Sequence, residues 1–242
     1  MLSLVFVHGA GEDSRIWQRQ CAFFAGSHNV IDLDLPGRHR RLAERPLDSH
    51  EDNARDVGRQ MDDRRIGWAV IVGHSMGGAV ALTLALEHPE RVQALVLVAS
   101  GARLRMSPEL MDKARRRADG TDVGTDPIVP IERLVAASTP ADLRHWIAER
   151  ALTAPPATTY ADFRANDGFD VMDRVSGLAV PTLVIVGDED RMAPPKFSEF
   201  LAKNIPGSRL TILDRCGHYP QVEREPAFTL ALEKFLTRLP RH

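Results

Sequence analysis

The chain has 242 residues, 43% of them hydrophobic, which suits one large α/β domain or two small ones and allows a sizeable core. A formal charge of -2 leaves no basic excess to hold nucleic acid, and the cluster Lys113, Arg115, Arg116, Arg117 reads as a solvated helix face. No run reaches the roughly 18 apolar residues of a membrane span, and Cys21 and Cys216 lie far apart without zinc-type spacing, so free thiols, a cytoplasmic location and no metal or other cofactor are expected.

In chain order, LSLVFVHG (Leu2–Gly9) reads as a strand and Ser14–Ala25 as a helix. NVIDLDLPG (Asn29–Gly37) is a second strand, followed by a helix over Ser49–Arg65. WAVIVGHS (Trp68–Ser75) is a third strand, Met76–His88 a helix and VQALVLVAS (Val92–Ser100) a fourth strand. Several strands are almost continuously apolar, as expected where both faces of a parallel sheet are covered. From Gly101 to Ser176 the rhythm breaks. That stretch shows only helix-like pieces, Pro108–Ala118, Ile131–Ala137, Ala141–Leu152 and Thr158–Ala165, separated by prolines, so a helical insertion is expected there. The alternation then resumes with a strand at Pro181–Asp190, a helix at Pro195–Asn204, a strand at Ser208–His218 and a helix at Pro226–Leu239. The pattern predicts a doubly wound, mostly parallel α/β fold.

Gly73-His74-Ser75-Met76-Gly77 matches G-x-S-x-G at the junction of the third strand and its helix. So sharp a turn strains its central residue and requires small neighbours, which the glycines supply. Ser75 is thereby presented at the N-terminus of a helix, where the dipole and free N–H groups favour a developing oxyanion. A serine hydroxyl needs a base. His218, in the loop after the last strand, belongs to the same sheet edge. His8 ends the first strand and suits a loop-fixing hydrogen bond, His74 flanks the nucleophile on the wrong side, and His88 and His145 fit helix surfaces. The acid that orients His218 should follow the preceding strand, where Gly187-Asp188-Glu189-Asp190 offers three; Asp190 is preferred and Asp188 is the alternative. The oxyanion donors would be Met76 N–H and, from His8-Gly9-Ala10-Gly11, Ala10 N–H.

Together FVHGAG, DLPG, GHSMGG, GDEDRMAPP and GHYPQVEREP resemble, in order, the α/β-hydrolase superfamily, nearest to its small bacterial esterase, non-haem haloperoxidase and C–C hydrolase branch. The resemblance implies a triad of Ser75, Asp190 and His218, with Ala10 and Met76 as oxyanion donors. It also implies a hydrolase core over 1–100 and 177–242 and a helical cap over 101–176, inserted before the last two strands. Members often carry two further strands before the HG loop, whereas here Met1 nearly begins the HG strand, so about six parallel strands are expected. Phe169 and Asp170 would lead from the cap back to the core. The common DLPGHGxS reads Asp34-Leu35-Pro36-Gly37-Arg38-His39-Arg40-Arg41 here, a departure that bears on the conformation of that loop. Serine at position 75 separates the chain from haloalkane dehalogenases and epoxide hydrolases, which are similar but carry Asp there.

The expected activity is cleavage of a small to medium, largely apolar carboxylic ester or related acyl substrate through an acyl-enzyme on Ser75. Leu110, Met111, Leu134, Trp146, Ile147 and Phe163 from the cap, with Met192 by the acid loop, are the candidate pocket residues. Arg103 and Arg105 at the cap entrance keep charged thioesters in view. Two alternatives remain: a C–C bond hydrolase or lyase with the same triad, and a non-enzymatic receptor on the same fold. The expected partner is a small molecule, with neither nucleic acid nor membrane involved.

Overall fold

A computed structural model describes residues 1–124, 126–151 and 153–240. Leu152, the expected end of the third helix of the insertion, lies outside the described residues, as do residues 241–242 of the expected core. Six strands form one parallel sheet: β1 (Ser3–Val7), β2 (Asn29–Leu33), β3 (Ala69–His74), β4 (Val92–Val98), β5 (Thr182–Gly187) and β6 (Arg209–Leu213), in the order β2-β1-β3-β4-β5-β6. The register runs Val5↔Ile71 between β1 and β3, Ile71↔Leu95 between β3 and β4, and Leu97↔Val184 between β4 and β5. The central β3 and β5 are buried along their whole length, which is why their sequences are continuously apolar. The edge strands β2 and β6 are partly exposed and carry Asn29, Asp32, Arg209 and Thr211.

Alternation along each strand divides the core in two. Phe6, Val72, Val96 and Ile185 pack on one face with Trp17, with Phe24 of α1 (Gln18–Phe24) and with Phe228 and Leu232 of α10 (Glu225–Leu236). Val5, Ile71, Leu95 and Val184 pack on the other with α2 (His50–Asp63), α3 (Met76–Glu87) and α8 (Pro195–Asn204). Because every crossover returns the chain in the same direction, all six strand C-termini open on one edge. Loops at that edge carry residues 8–12, 75, 188–193 and 214–219.

Between β4 and β5 the chain forms α4 (Pro108–Ala118), α5 (Ile131–Leu134), α6 (Ala141–Ala148) and α7 (Pro156–Gly168). Leu110, Leu134, Ile147 and Phe163 join the core cluster that also holds Trp17 and Phe228. An isolated bridge, Arg103↔Asp170, closes the base of this segment where the chain leaves and re-enters the core. Proline explains one boundary difference. α7 begins at Pro156, two residues before the expected Thr158, because proline is well suited to the first helical turn, where its missing N–H costs nothing. The expected helix Ser14–Ala25 instead opens with a 3-10 turn over Ser14–Trp17, and the final helix is preceded by a single turn, α9 (Pro220–Glu223). Among the described residues no helix is long and apolar enough to cross a membrane.

Candidate active site

Ser75 links β3 to α3 with φ 50 and ψ -115, a backbone conformation that costs a non-glycine residue roughly 1–3 kcal/mol. The surroundings hold it there. Its N–H donates to Val98 O (2.8 Å), and its carbonyl accepts from Ser100 Oγ (2.8 Å) and Gly78 N (2.9 Å). The flanking glycines are a steric requirement: a Cβ at Gly73 would lie 2.2 Å from Gly77 O, and one at Gly77 would lie 2.3 Å from Val7 O. Ser75 is half-buried and faces a cavity at the strand C-termini.

His218 lines the same cavity. Its Nδ1 donates to Asp190 Oδ2 at 2.9 Å, and both side chains are almost fully buried. The other oxygen, Asp190 Oδ1, accepts from Met192 N (2.8 Å) and Ala193 N (2.9 Å). Burial alone would lower the His218 pKa. The negative charge of Asp190 and the hydrogen bond to it, helped by Glu12 and Glu223, outweigh that and hold the pKa above its ordinary value. Asp188 does not reach the imidazole: it accepts from Cys216 N (3.0 Å), while Glu189 accepts from Ala137 N (2.9 Å). Among the described residues no hydrogen bond joins Ser75 Oγ to His218; both residues line the same cavity, and hydrogen bonds of this kind commonly tighten only with substrate bound.

Ala10 also lines this cavity. Neither its N–H nor that of Met76, the first residue of α3, has a main-chain acceptor among the described residues. The loop is fixed around Ala10. Gly9 N donates to Glu12 Oε2 (2.8 Å), His8 Nδ1 donates to Gly9 O (2.8 Å), and His8 Nε2 accepts from Leu35 N (3.1 Å). One donating and one accepting nitrogen define a neutral imidazole. The pKa of His8 is accordingly lowered, by burial and then by the charge of Arg38.

Three buried carboxylates at this edge escaped the sequence reading. Glu12 Oε2 meets His74 Nδ1 at 3.1 Å, and His74 Nε2 donates to the His218 carbonyl at 2.8 Å. Burial alone would raise the Glu12 pKa; the charge of His74 and hydrogen bonds from His74, Tyr219 and Gly9 lower it to about 2. Glu223 accepts from Gly217 N, Tyr219 N, Ala136 N and Thr139 Oγ1, so it shapes the His218 loop. Asp162 of α7 pairs with Arg38 at 2.8 Å. A signal for Glu12 existed: it is an acid in a glycine loop directly after an apolar strand. Asp162 gave none, because its partners are 124 and 151 positions away.

The cavity has a volume of about 170 Å³ and is walled by Leu104, Leu110, Leu134, Phe163, Met192 and Phe197, with Arg105, Arg133 and Asn166 as further polar lining. Four expected pocket residues, Leu110, Leu134, Phe163 and Met192, are therefore at the wall. Three are not, and the expectation is corrected. Met111 lies one helical position round from Leu110 and packs against the core cluster. Ile147 is fully buried inside that cluster. Trp146 packs beneath the guanidinium of Arg150, 4.2 Å away, with Arg19 at 5.5 Å. A larger hollow of about 680 Å³ lies at the opposite edge of the sheet, against Leu2, Asn29 and Gln93, remote from Ser75. Asp13, Asp34 and His39 come close enough to share a cation, yet Arg15 and Arg40 already pair with the two carboxylates.

A model described as "Alpha/beta hydrolase family" matches residues 4–232. A pimeloyl-[acyl-carrier protein] methyl ester esterase of Neisseria meningitidis serogroup A is 29% identical over 239 residues, covering 95% of this chain and 75% of that protein. A 2-hydroxymuconate semialdehyde hydrolase of Pseudomonas putida is 31% identical over 255 residues, covering 96% of this chain and 86% of that one. A solved thermophilic esterase from Thermogutta terrifontis superimposes with a TM-score of 0.89 at 29% identity, covering 99% of this chain and 90% of that one.

Proposed function

Since this chain belongs to the alpha/beta hydrolase family and is an enzyme of that class, we propose that it hydrolyses a small to medium, largely apolar carboxylic ester through an acyl-enzyme on Ser75. His218 Nε2 takes the Ser75 proton as Oγ attacks the ester carbonyl. The Ala10 and Met76 N–H groups hold the oxyanion. His218 then gives the proton to the departing alkoxide, and water, activated by the same nitrogen, cleaves the acyl-enzyme. Asp190 keeps Nδ1 protonated and stabilises the imidazolium. In this reading residues 101–176 are a cap over a core of 1–100 and 177–242, and they supply Leu110, Leu134 and Phe163 to the acyl site. No step requires a metal or cofactor. Two unpaired cysteines, Cys21 half-buried and Cys216 buried, support a cytoplasmic setting.

The observation that carries this reading is the Asp190–His218 hydrogen bond in the wall of a cavity shared with Ser75 and Ala10. A second reading keeps the residues and changes the bond, from C–O to C–C. Arg133 and Asn166 favour it, being polar wall groups that an apolar ester would leave idle; Arg105, also in the wall, already donates to the Asp167 carbonyl. Labelling by a fluorophosphonate tests the nucleophile: wild type should label at Ser75, and Ser75→Ala should lose both label and roughly 10⁶ in kcat. Undiminished turnover by a folded Ser75→Ala variant ends the proposal. Rates on p-nitrophenyl esters of graded acyl length, set against vinylogous diketones, separate the two readings.

A further inference from the structure

Gly11, next to Ala10 in the oxyanion loop, has φ 68. Both of its main-chain polar groups are held by the helical segment. Its N–H donates to Asp162 Oδ2 at 2.7 Å, and its carbonyl accepts from Ala154 N at 2.9 Å. Asp162 is fully buried and carries a bidentate partner: Arg38 NH1 donates to Oδ2 (2.9 Å) and NH2 to Oδ1 (2.8 Å). Arg38 NH1 also donates to Glu12 O at 3.3 Å, the next carbonyl along the same loop, and its side chain is 2% exposed. One residue before Ala10, Gly9 N is held by Glu12. The Ala10 N–H therefore sits between two anchored peptides, one fixed from the core and one from α7.

A buried ion pair is poor value as a stabiliser, because the desolvation of both charges offsets most of their attraction. An apolar pair of similar size would hold α7 against the core as well. What it could not do is accept the Gly11 N–H. We propose that Asp162 and Arg38 are positioning residues for the oxyanion donor. The donor N–H belongs to the Gly9–Ala10 peptide, whose carbonyl His8 Nδ1 already holds at 2.8 Å. Through Asp162, α7 fixes the next peptide, Ala10–Gly11, and so completes the alignment of the Ala10 N–H at the reacting oxygen when it is docked. This rests on Ala10 being an oxyanion donor, as in the proposed function.

The test is the double variant Arg38→Met/Asp162→Leu, which removes both charges and the acceptor together. Its melting temperature should fall by several degrees at most, the cost of leaving the Gly11 N–H without its acceptor, while kcat falls about 10- to 100-fold and KM changes less than about threefold. Affinity for a trifluoromethyl ketone, which places an oxyanion in the hole, should fall by the same factor as kcat/KM. Inhibition by the product carboxylic acid should not. A folded double variant with wild-type kcat, or equal weakening of ketone and acid, overturns the inference. Should the double variant not fold, Asp162→Asn and Asp162→Ser carry the test. Both remove the charge, but only asparagine keeps an oxygen within reach of Gly11 N–H. Their kcat values should then differ about tenfold at similar stability, and equal values overturn the inference. A Ser75→Ala control that still turns over ester would instead sink the underlying reading, and this inference with it.

Discussion

Two carboxylate–imidazole pairs lie side by side at the edge of the sheet, Asp190 with His218 and Glu12 with His74, their rings 4.9 Å apart. Both are buried, and in both a carboxylate oxygen meets Nδ1, at 2.9 and 3.1 Å. They differ at the other nitrogen. His74 Nε2 is spent on the His218 main-chain carbonyl at 2.8 Å, so His74 is a two-ended donor tying the Glu12 loop to the His218 loop. His218 Nε2 has no such acceptor among the described residues, and its ring lines the cavity with Ser75. A base needs a nitrogen left over, and burial plus a carboxylate do not by themselves provide one. The same chemistry, closed at both ends, makes a brace.

The comparison is broken most easily by removing one acid at a time. Asp190→Asn should lower kcat by about 10⁴ with little change in melting temperature, because the wrong tautomer then faces Ser75. Glu12→Gln should do the reverse. The Glu12 carboxyl is held near 2 against an ordinary 4.5, which corresponds to stability on the order of 3 kcal/mol. Its pKa is depressed on folding. The contribution is therefore complete above about pH 4.5 and is lost as pH falls towards 2. Thermal melts of Glu12→Gln should show a lower plateau near neutral pH and a shallower acid decline than wild type, with kcat within about tenfold. A thousandfold loss of kcat in that variant would make Glu12 part of the catalytic machinery and erase the distinction.

These two pairs were not equally legible in the sequence. Ser75, His218 and Asp190 announce themselves because each sits where an apolar run stops, and strand C-termini of a parallel sheet share an edge; chain order does the rest. The six strands were legible for the same reason, since period and apolarity are local properties. His74 was set aside because its side chain points away from the nucleophile, and its role is set by a carboxylate 62 positions away. Asp162 and Glu223 could not be read at all. Each is an acid on a helix, like many solvated ones, until folding sets it against main-chain N–H groups of a distant loop. Within 101–176 the helices were visible but their faces were not: the prolines blurred the period, so Met111, Trp146 and Ile147 went to the pocket, while Leu104 and Val129, on the connections between elements, carried no periodic signal at all.

A pH profile sharpens the contrast from the side of His218. The imidazole must be neutral to accept the Ser75 proton, and Asp190 raises its pKa above the ordinary 6.5. The acid limb of kcat/KM should therefore inflect above 6.5. The sign for stability is the opposite. A raised histidine pKa contributes stability that is present below the unfolded-state value and lost as pH rises through the folded-state value. Across that interval activity should climb while the contribution of His218 to stability falls. In Asp190→Asn the residual activity should show its acid limb moved to lower pH. An acid limb that stays in place would mean that Asp190 does not set the basicity of His218.

The smallest effect separates wall from packing inside the helical segment. Met192 lines the cavity beside Asp190, so Met192→Ala should deepen the acyl site and raise the rate on longer acyl chains several-fold relative to short ones. Trp146 was expected to share that wall, but it packs under Arg150 instead. Trp146→Ala should cost about 1–2 kcal/mol of stability through the lost contact with the guanidinium groups and leave the chain-length profile where it was. If the profile moves with Trp146 and not with Met192, the acyl chain runs along α6, and the cavity beside Ser75 holds the leaving alcohol.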